Sequence, residues 1–392
     1  MPTGARRHLP LDSLRYCSAP MVNQSDLPFR LQTVRNGATS VWTQMYLASE
    51  LTSNQETLEI LLKSLELGRQ SPHNRRIDTG DSAPQIVQLA ANDPDELVKA
   101  ARQVAHLADA IDLNLGCPQH HAQVGGYGAY LLSKQHWPQV ERLVESLSES
   151  VDIPVTTKIR LTVPKEQTPE LAVRLSRAGS SLVTLHPRFA SSVRRRKGLA
   201  DLEAVQDVTL ALKDHGLLRS ETLPSGQTAV VSNGNVRFAA DIPANLRITH
   251  ASGVMVGETL LDNPALFHSL HDQHRTEEKG CKSLHSSIPV PSSNPSSVEM
   301  AKEYLDLRAE YNAFESPVKV AKQHLTSILC SPLLLLPQSA SSIQREADHL
   351  DVGEREQQVH LAELHRQRTA TMSRIKSIQS EQDLADFHHS LL

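Results

Sequence analysis

The chain has 392 residues, of which 39% are hydrophobic and 21% charged, with 40 Lys and Arg against 44 Asp and Glu for a formal net charge of -4. This is the balance of an ordinary soluble protein and excludes a globally basic nucleic-acid binder, so any RNA or DNA contact must use a local patch. The length accommodates one large domain of about 250 residues plus a smaller one.

Short β-rich runs alternate with amphipathic helical segments along most of the chain. After an N-terminal extension (1–14), strands are predicted at Tyr16–Val22, Ser40–Met45, Gln85–Ala90, Ala110–Leu115, Val155–Leu161, Leu182–His186, Ala229–Asn233 and Gly253–Val256. Helical patterns fill the gaps, for example Asp95–Leu107 after the cap-like Asn92-Asp93-Pro94, then Gln135–Ser148 and Pro169–Ala178. Eight strands separated by helices predict an α/β fold, a parallel (β/α)8 TIM barrel over 15–275. Gln88, Asn114, Lys158, His186 and Asn233 all fall near the C-terminal ends of their strands, the end that carries the active site in such barrels. Lys213–Gly226 reads as a surface insertion before the seventh strand. The Ser- and Pro-rich stretch 276–297 reads as a linker. Beyond it, Val298–Leu329 and Ile343–His388 have helical periodicity with dense charge, a small helical domain over 298–392.

Within Ala110–Gln119 the chain passes from a strand to a polar turn. Ile111, Leu113 and Leu115 alternate with Asp112 and Asn114, and Gly116 and Pro118 then turn the chain around Cys117. Taken alone, a Gly-Cys-Pro turn is more often a tight corner with a half-buried thiol than a catalytic one. Its surroundings change that reading.

Ala19-Pro20-Met21-Val22, Leu27-Pro28-Phe29-Arg30, Val87-Gln88-Leu89, Asp112 through Pro118, Gly125-Gly126-Tyr127-Gly128-Ala129, Lys158-Ile159-Arg160, Leu185-His186-Pro187-Arg188, Ser232-Asn233-Gly234-Asn235-Val236, Gly253 through Glu258 and Asn263-Pro264-Ala265-Leu266-Phe267 follow in unbroken order. Together they resemble the tRNA-dihydrouridine synthases, in wording closest to the eukaryotic branch acting on uridines 16 and 17 of the D-loop. The resemblance covers roughly Arg15 to Phe267. It implies a flavin enzyme in which NADPH reduces FMN, reduced FMN passes hydride to C6 of a uracil, and an acid gives a proton to C5.

The residues divide that labour as the resemblance implies. Backbone near Pro20 and Met21 and the amide of Gln88 meet the flavin rim, and Lys158 stands at the N1/C2 end, which becomes anionic on reduction. Otherwise Lys158 would be a salt-bridged strand terminus. Asn233-Gly234-Asn235 and Gly257-Glu258 sit where barrels place a phosphate cup, with His186 alongside. A lone Asn-Gly is usually just a turn, and a lone histidine usually a hydrogen-bonded core residue. Many relatives carry arginine where this chain has Glu258, whose carboxylate cannot bind phosphate and is expected to orient a neighbour. Cys117 is the implied general acid, since a thiol in its ordinary range is protonated at neutral pH. Asn114, Arg160, Arg188 and the basic run Arg194-Arg195-Arg196-Lys197 are assigned to the substrate RNA, whose target base must leave its stack. The loop after His186 departs from the family pattern at Pro187, Phe189 and Leu202. In the family a helical domain grips the tRNA. Glu303–Leu329, with Lys319, Lys322 and His324, resembles its beginning, and the likeness fades after Cys330.

Four cysteines (Cys17, Cys117, Cys281, Cys330) lack zinc-type spacing and are too few for a disulfide framework, which favours a reducing, cytoplasmic setting. The basic run leaves room for a nuclear fraction. No segment approaches the ~18 consecutive apolar residues of a membrane span, Leu333–Leu336 being far too short, and the first fourteen residues lack the apolar core of a signal peptide. The expected partner is tRNA, with no metal and no membrane, and the expected state is a monomer. Two other readings stay open: a tRNA-binding relative without turnover, and a flavin reductase of a free pyrimidine or small enone.

Overall fold

The computed structural model describes residues 7–191, 198–270, 295–311, 314, 316–331 and 353–391. Eight parallel strands close into a barrel in sequence order: β1 (Tyr16–Ser18), β2 (Ser40–Leu47), β3 (Gln85–Ala90), β4 (Ala110–Leu115), β5 (Val155–Leu161), β6 (Leu182–Phe189), β7 (Ala229–Asn233) and β8 (Gly253–Val256). The (β/α)8 architecture expected from the sequence is therefore the one observed.

Strand alternation explains both faces of the barrel wall. Val87, Leu89, Ile111, Leu113 and Leu115 point outward into the core shared with the surrounding helices. Their neighbours point inward, where Trp42, Ile86, Ala110, Leu182, Val231 and Met255 plug the lower barrel. Burying each larger apolar side chain contributes about 1.5–3 kcal/mol. Above this plug the inward positions turn polar, and Gln88 pairs in register with Asp112, Asp112 with Thr156, Asn114 with Lys158 and Arg160 with His186. The polar layer lies at the C-terminal mouth.

Several boundaries differ from expectation for local reasons. β1 ends at Ser18 rather than Val22, because Pro20 has no N–H for a ladder and the chain turns over Met21, whose carbonyl accepts from Gln24 and Ser25. β6 continues past His186 to Phe189 across a register shift opposite Arg160 and Leu161. The helical pattern over 298–329 is two helices, Ser297–Glu310 and Val318–Cys330, the second opening behind Pro317. The first helix begins inside the expected linker with a capping box, Ser296 with Glu299. The rest of that linker up to 294, the tetraleucine Leu333–Leu336 and the first six residues lie outside the described residues.

Two further helices, Gly353–Ser377 and Glu381–His389, complete the C-terminal part. Met300, Tyr304, Leu325, Ile328, Ile375 and Phe387 share one core with Tyr16, Phe29 and Phe267 of the barrel. A buried polar knot fastens the same interface. Tyr304 Oη donates to Asp26 Oδ2 at 2.8 Å, His324 Nε2 sits 3.2 Å from Asp26 Oδ1, and the His324 ring stacks on Phe29 at 4.9 Å. Burial alone would raise the Asp26 carboxyl, but His324 and the Ser316 and Tyr304 hydroxyls hold it below its ordinary range.

Candidate active site

The mouth of the barrel opens into a cleft of about 1250 Å³, walled on one side by strand ends and on the other by the Val318–Cys330 helix. Pro20, Met21, Gln88, Asn114, Cys117, Lys158, Arg160, His186, Arg188, Asn233, Gly234, Asn235, Gly257 and Glu258 all line it. Every site residue expected from the sequence is thus brought to one place, except Arg194, Arg195 and Arg196, which lie outside the described residues. Lys319 and Lys322 reach the same cleft from the C-terminal helix, whereas His324 on that helix is fully buried against Asp26.

The Cys117 turn is held from several directions. Asn114 Oδ1 accepts from the backbone N–H of Gly116 at 3.0 Å and of Cys117 at 2.9 Å. The Cys117 carbonyl accepts from Ala129 N at 3.0 Å. Gly128 adopts φ +68°, and a Cβ there would meet the Cys117 carbonyl oxygen at 2.8 Å, so the Gly-Tyr-Gly-Ala segment can support the turn only with glycine at this position. Arg160 Nε donates to the Gly116 carbonyl at 2.9 Å and its Nη1 to Phe189 O at 3.1 Å. The guanidinium therefore buttresses the turn. The Cys117 thiol itself is half-buried, with His121 Nε2 3.8 Å from Sγ.

Cations gather on the adjoining strands β5 and β6. Burial, helped by Arg160 and opposed by Asp112 and Cys117, brings the Lys158 ammonium down to about 8. Burial together with Lys158, Arg160 and Arg188 pushes the His186 imidazole down to about 2, so it is neutral. Arg188 Nη2 donates to Gly198 O at 3.1 Å and Asn235 Oδ1 at 3.3 Å. Asn235 in turn exchanges two bonds with the Ala200 backbone, both 2.7 Å. Arg188 thus ties the loop after β6 to the turn after β7, and the Glu258 carboxylate acts on it to favour its charge.

Residues that sequence reasoning passed over also belong to the site. Asp112 lies beneath the mouth, hydrogen-bonded to Gln88 and Thr156. The only signal in the sequence was an acid at an inward position two residues before Asn114. His121 and Arg237 stand at the rim, and neither belongs to a motif that would have drawn notice.

A family model described as dihydrouridine synthase (Dus) matches residues 17–366. A Schizosaccharomyces pombe protein named tRNA-dihydrouridine(16/17) synthase, with NAD(P)(+) in its name, is 32% identical over 81% of this chain and 69% of its own length. The Saccharomyces cerevisiae protein of the same name is 33% identical over 64% of this chain and 53% of its own. A Rattus norvegicus protein named as like these is 31% identical over 80% and 60%. The chain thus spans from about half to just over two thirds of the length of these curated relatives.

Proposed function

The chain belongs to the dihydrouridine synthase family, and on that premise we propose that it reduces a D-loop uridine of tRNA to dihydrouridine, with FMN as its cofactor and NADPH as the reductant. The observation that carries this reading is the convergence of Cys117, Asn114, Lys158 and Arg160 on the mouth of one open cleft wide enough for an unstacked base.

The cleft also fits a flavin. Lys158 Nζ makes no hydrogen bond among the described residues, and Arg188 Nε is buried without a partner, so the mouth holds cationic donors with capacity for an anionic group. Gly234, at φ +146°, would bring a Cβ within 2.9 Å of Ala200 Cβ, which makes it a tight turn with open backbone beside His186 and Arg188. Pro20, Met21 and Gln88 would meet the flavin rim and Lys158 its N1/C2 end. His186, Asn233, Gly234, Asn235, Gly257 and Glu258 would surround its phosphate. Bound there, FMN supplies the hydride for C6 of the uracil.

The chain's own residues do the rest. Cys117 holds the proton at Sγ and delivers it to C5, from a turn fixed tightly enough to keep the thiol over the base. Asn114 presents an amide to the uracil edge. Arg160 keeps the turn in register and offers its remaining Nη2 to the substrate. Arg188, the Arg194–Lys197 run and the helix-borne Lys319 meet RNA phosphates, and neutral His186 orients Arg188 without adding charge. The three described cysteines are free thiols, which supports a reducing, cytoplasmic setting, and no described helix is long and apolar enough to cross a membrane.

The test is incubation of the purified protein with NADPH, FMN and tRNA from a synthase-deficient strain, followed by nucleoside mass spectrometry and site mapping. Dihydrouridine at D-loop positions is the expected product. NADPH oxidation without modified tRNA would point to another acceptor.

A further inference from the structure

The Asp112 carboxyl is wholly buried and has no place in the chemistry described so far. Its Oδ2 accepts from Gln88 Nε2 at 2.7 Å and its Oδ1 from Thr156 Oγ1 at 2.7 Å. On the other side of Gln88, Asn114 Nδ2 donates to Gln88 Oε1 at 2.8 Å, and Asn114 Oδ1 receives the Gly116 and Cys117 N–H groups. We propose that Asp112 is the positioning residue that sets which way the Gln88 and Asn114 amides point, and through them holds the Cys117 turn in its working geometry.

Backbone N–H groups can only donate, so the end of Asn114 that faces them must be its oxygen. Its nitrogen then faces Gln88 and must donate, which requires the Gln88 oxygen on that side. The Gln88 nitrogen is thereby turned towards position 112, where it needs an acceptor. Amide oxygen and nitrogen are nearly the same size, and packing alone does not tell the two directions apart. An ionised carboxylate, which only accepts, does, and although burial pushes the Asp112 carboxyl up to about 6 it is ionised at neutral pH. Thr156 engages its second oxygen, so the carboxylate has no freedom to turn away. The cross-strand registers of Gln88 with Asp112 and Asp112 with Thr156 make these contacts a consequence of barrel closure. In a buried network of this kind a single reversed amide sets donor against donor at the next step. The same direction decides which end of Gln88 and Asn114 a ligand meets in the cleft.

The consequence for catalysis rests on the proposed function, but the position of the turn can be read without it. The readout is the rate at which iodoacetamide alkylates Cys117 in the RNA-free protein, followed by peptide mass spectrometry, with kcat and KM for tRNA measured alongside. Asp112→Asn keeps the shape but can turn either its oxygen or its nitrogen to Gln88, since the Thr156 hydroxyl accepts as well as donates, so the direction is no longer fixed from the Asp112 end. It is expected to raise the Cys117 alkylation rate severalfold and to lower kcat by roughly 10- to 100-fold with little change in KM. The double variant Asp112→Asn/Gln88→Glu restores the direction. The amide introduced at 112 donates to the carboxylate introduced at 88, whose other oxygen accepts from Asn114. Its alkylation rate is expected to return to that of the wild type. A single variant with a wild-type alkylation rate would overturn the proposal, and so would a double variant that behaves like the single. If the single variant does not fold, the double variant decides alone: it folds with a wild-type alkylation rate, or the direction of the amides is not what Asp112 supplies. A protein that makes no dihydrouridine would sink the proposed function while leaving the alkylation result free to stand or fall.

Discussion

Arg188 Nη1 stands 2.9 Å from His186 Nε2, and because a guanidinium can only donate, the imidazole accepts at that nitrogen and carries its proton on Nδ1. A second proton would face three cations, Lys158, Arg160 and Arg188, which together with burial hold the ring down to about 2.

That relationship has a measurable effect on stability. In the unfolded chain His186 takes a proton near pH 6.5, while the folded site refuses it. The folded pKa is lowered, so its stabilising contribution is fully present above pH 6.5 and declines as pH falls towards the folded value, by at most about 1.4 kcal/mol per pH unit. His186→Gln keeps an acceptor for Arg188 without the titration. Its melting temperature should therefore fall less than that of the wild type between pH 7 and pH 5. Parallel curves for the two proteins would show that His186 does not contribute.

Lys158 carries a second pH dependence. Its ammonium, brought down to about 8, is cationic below that pH and, in the proposed site, would favour the anionic reduced flavin. Lys158→Met is expected to make the midpoint potential of bound flavin more negative at pH 7. The gap from the wild type should narrow as pH rises through about 8, where the wild-type side chain loses its charge. Spectroelectrochemical titration at several pH values checks this, and a gap independent of pH would remove Lys158 from that role.

Gly128 is required by the backbone. A methyl group at φ +68°, 2.8 Å from the Cys117 carbonyl oxygen, cannot be accommodated without moving the turn. Gly128→Ala should cost on the order of 1–3 kcal/mol in urea unfolding and slow dihydrouridine formation by roughly tenfold or more. Full activity in this variant would mean that the turn tolerates displacement.

The barrel was legible because inward and outward faces alternate. β3, β4, β5, β7 and β8 fall where the alternation predicts, and the polar residues at their C-terminal ends do meet in one cleft. Two of the misplacements trace to proline: Pro20 ends β1 although the residues around it are apolar, and Pro317 divides a helical pattern that periodicity joins. The role of Asp112 is not legible, because alternation shows which way a side chain faces and says nothing about which neighbours donate hydrogen bonds to it. The Asp26–Tyr304 bond joins residues 278 positions apart, a pairing that no local pattern records.

That distant knot supports a prediction about the cleft wall. His324→Ala removes the ring between Phe29 and Tyr304 and leaves the buried Asp26 carboxylate short of a partner, at a cost on the order of 3–5 kcal/mol. The C-terminal helices should become sensitive to limited proteolysis, and KM for tRNA should rise as Lys319 leaves the wall. Flavin affinity should change little. Equal losses of flavin and tRNA binding would indicate general unfolding instead.

Protonation of a tRNA uracil by Cys117 is tested by comparing wild type with Cys117→Ala on unmodified tRNA with NADPH. Dihydrouridine is counted by mass spectrometry while NADPH oxidation is followed in the same reaction. D-loop dihydrouridine is expected from the wild type and formation slower by roughly 10² or more from the variant, with flavin binding and NADPH oxidation retained. Equal dihydrouridine formation by the two proteins would contradict protonation by Cys117.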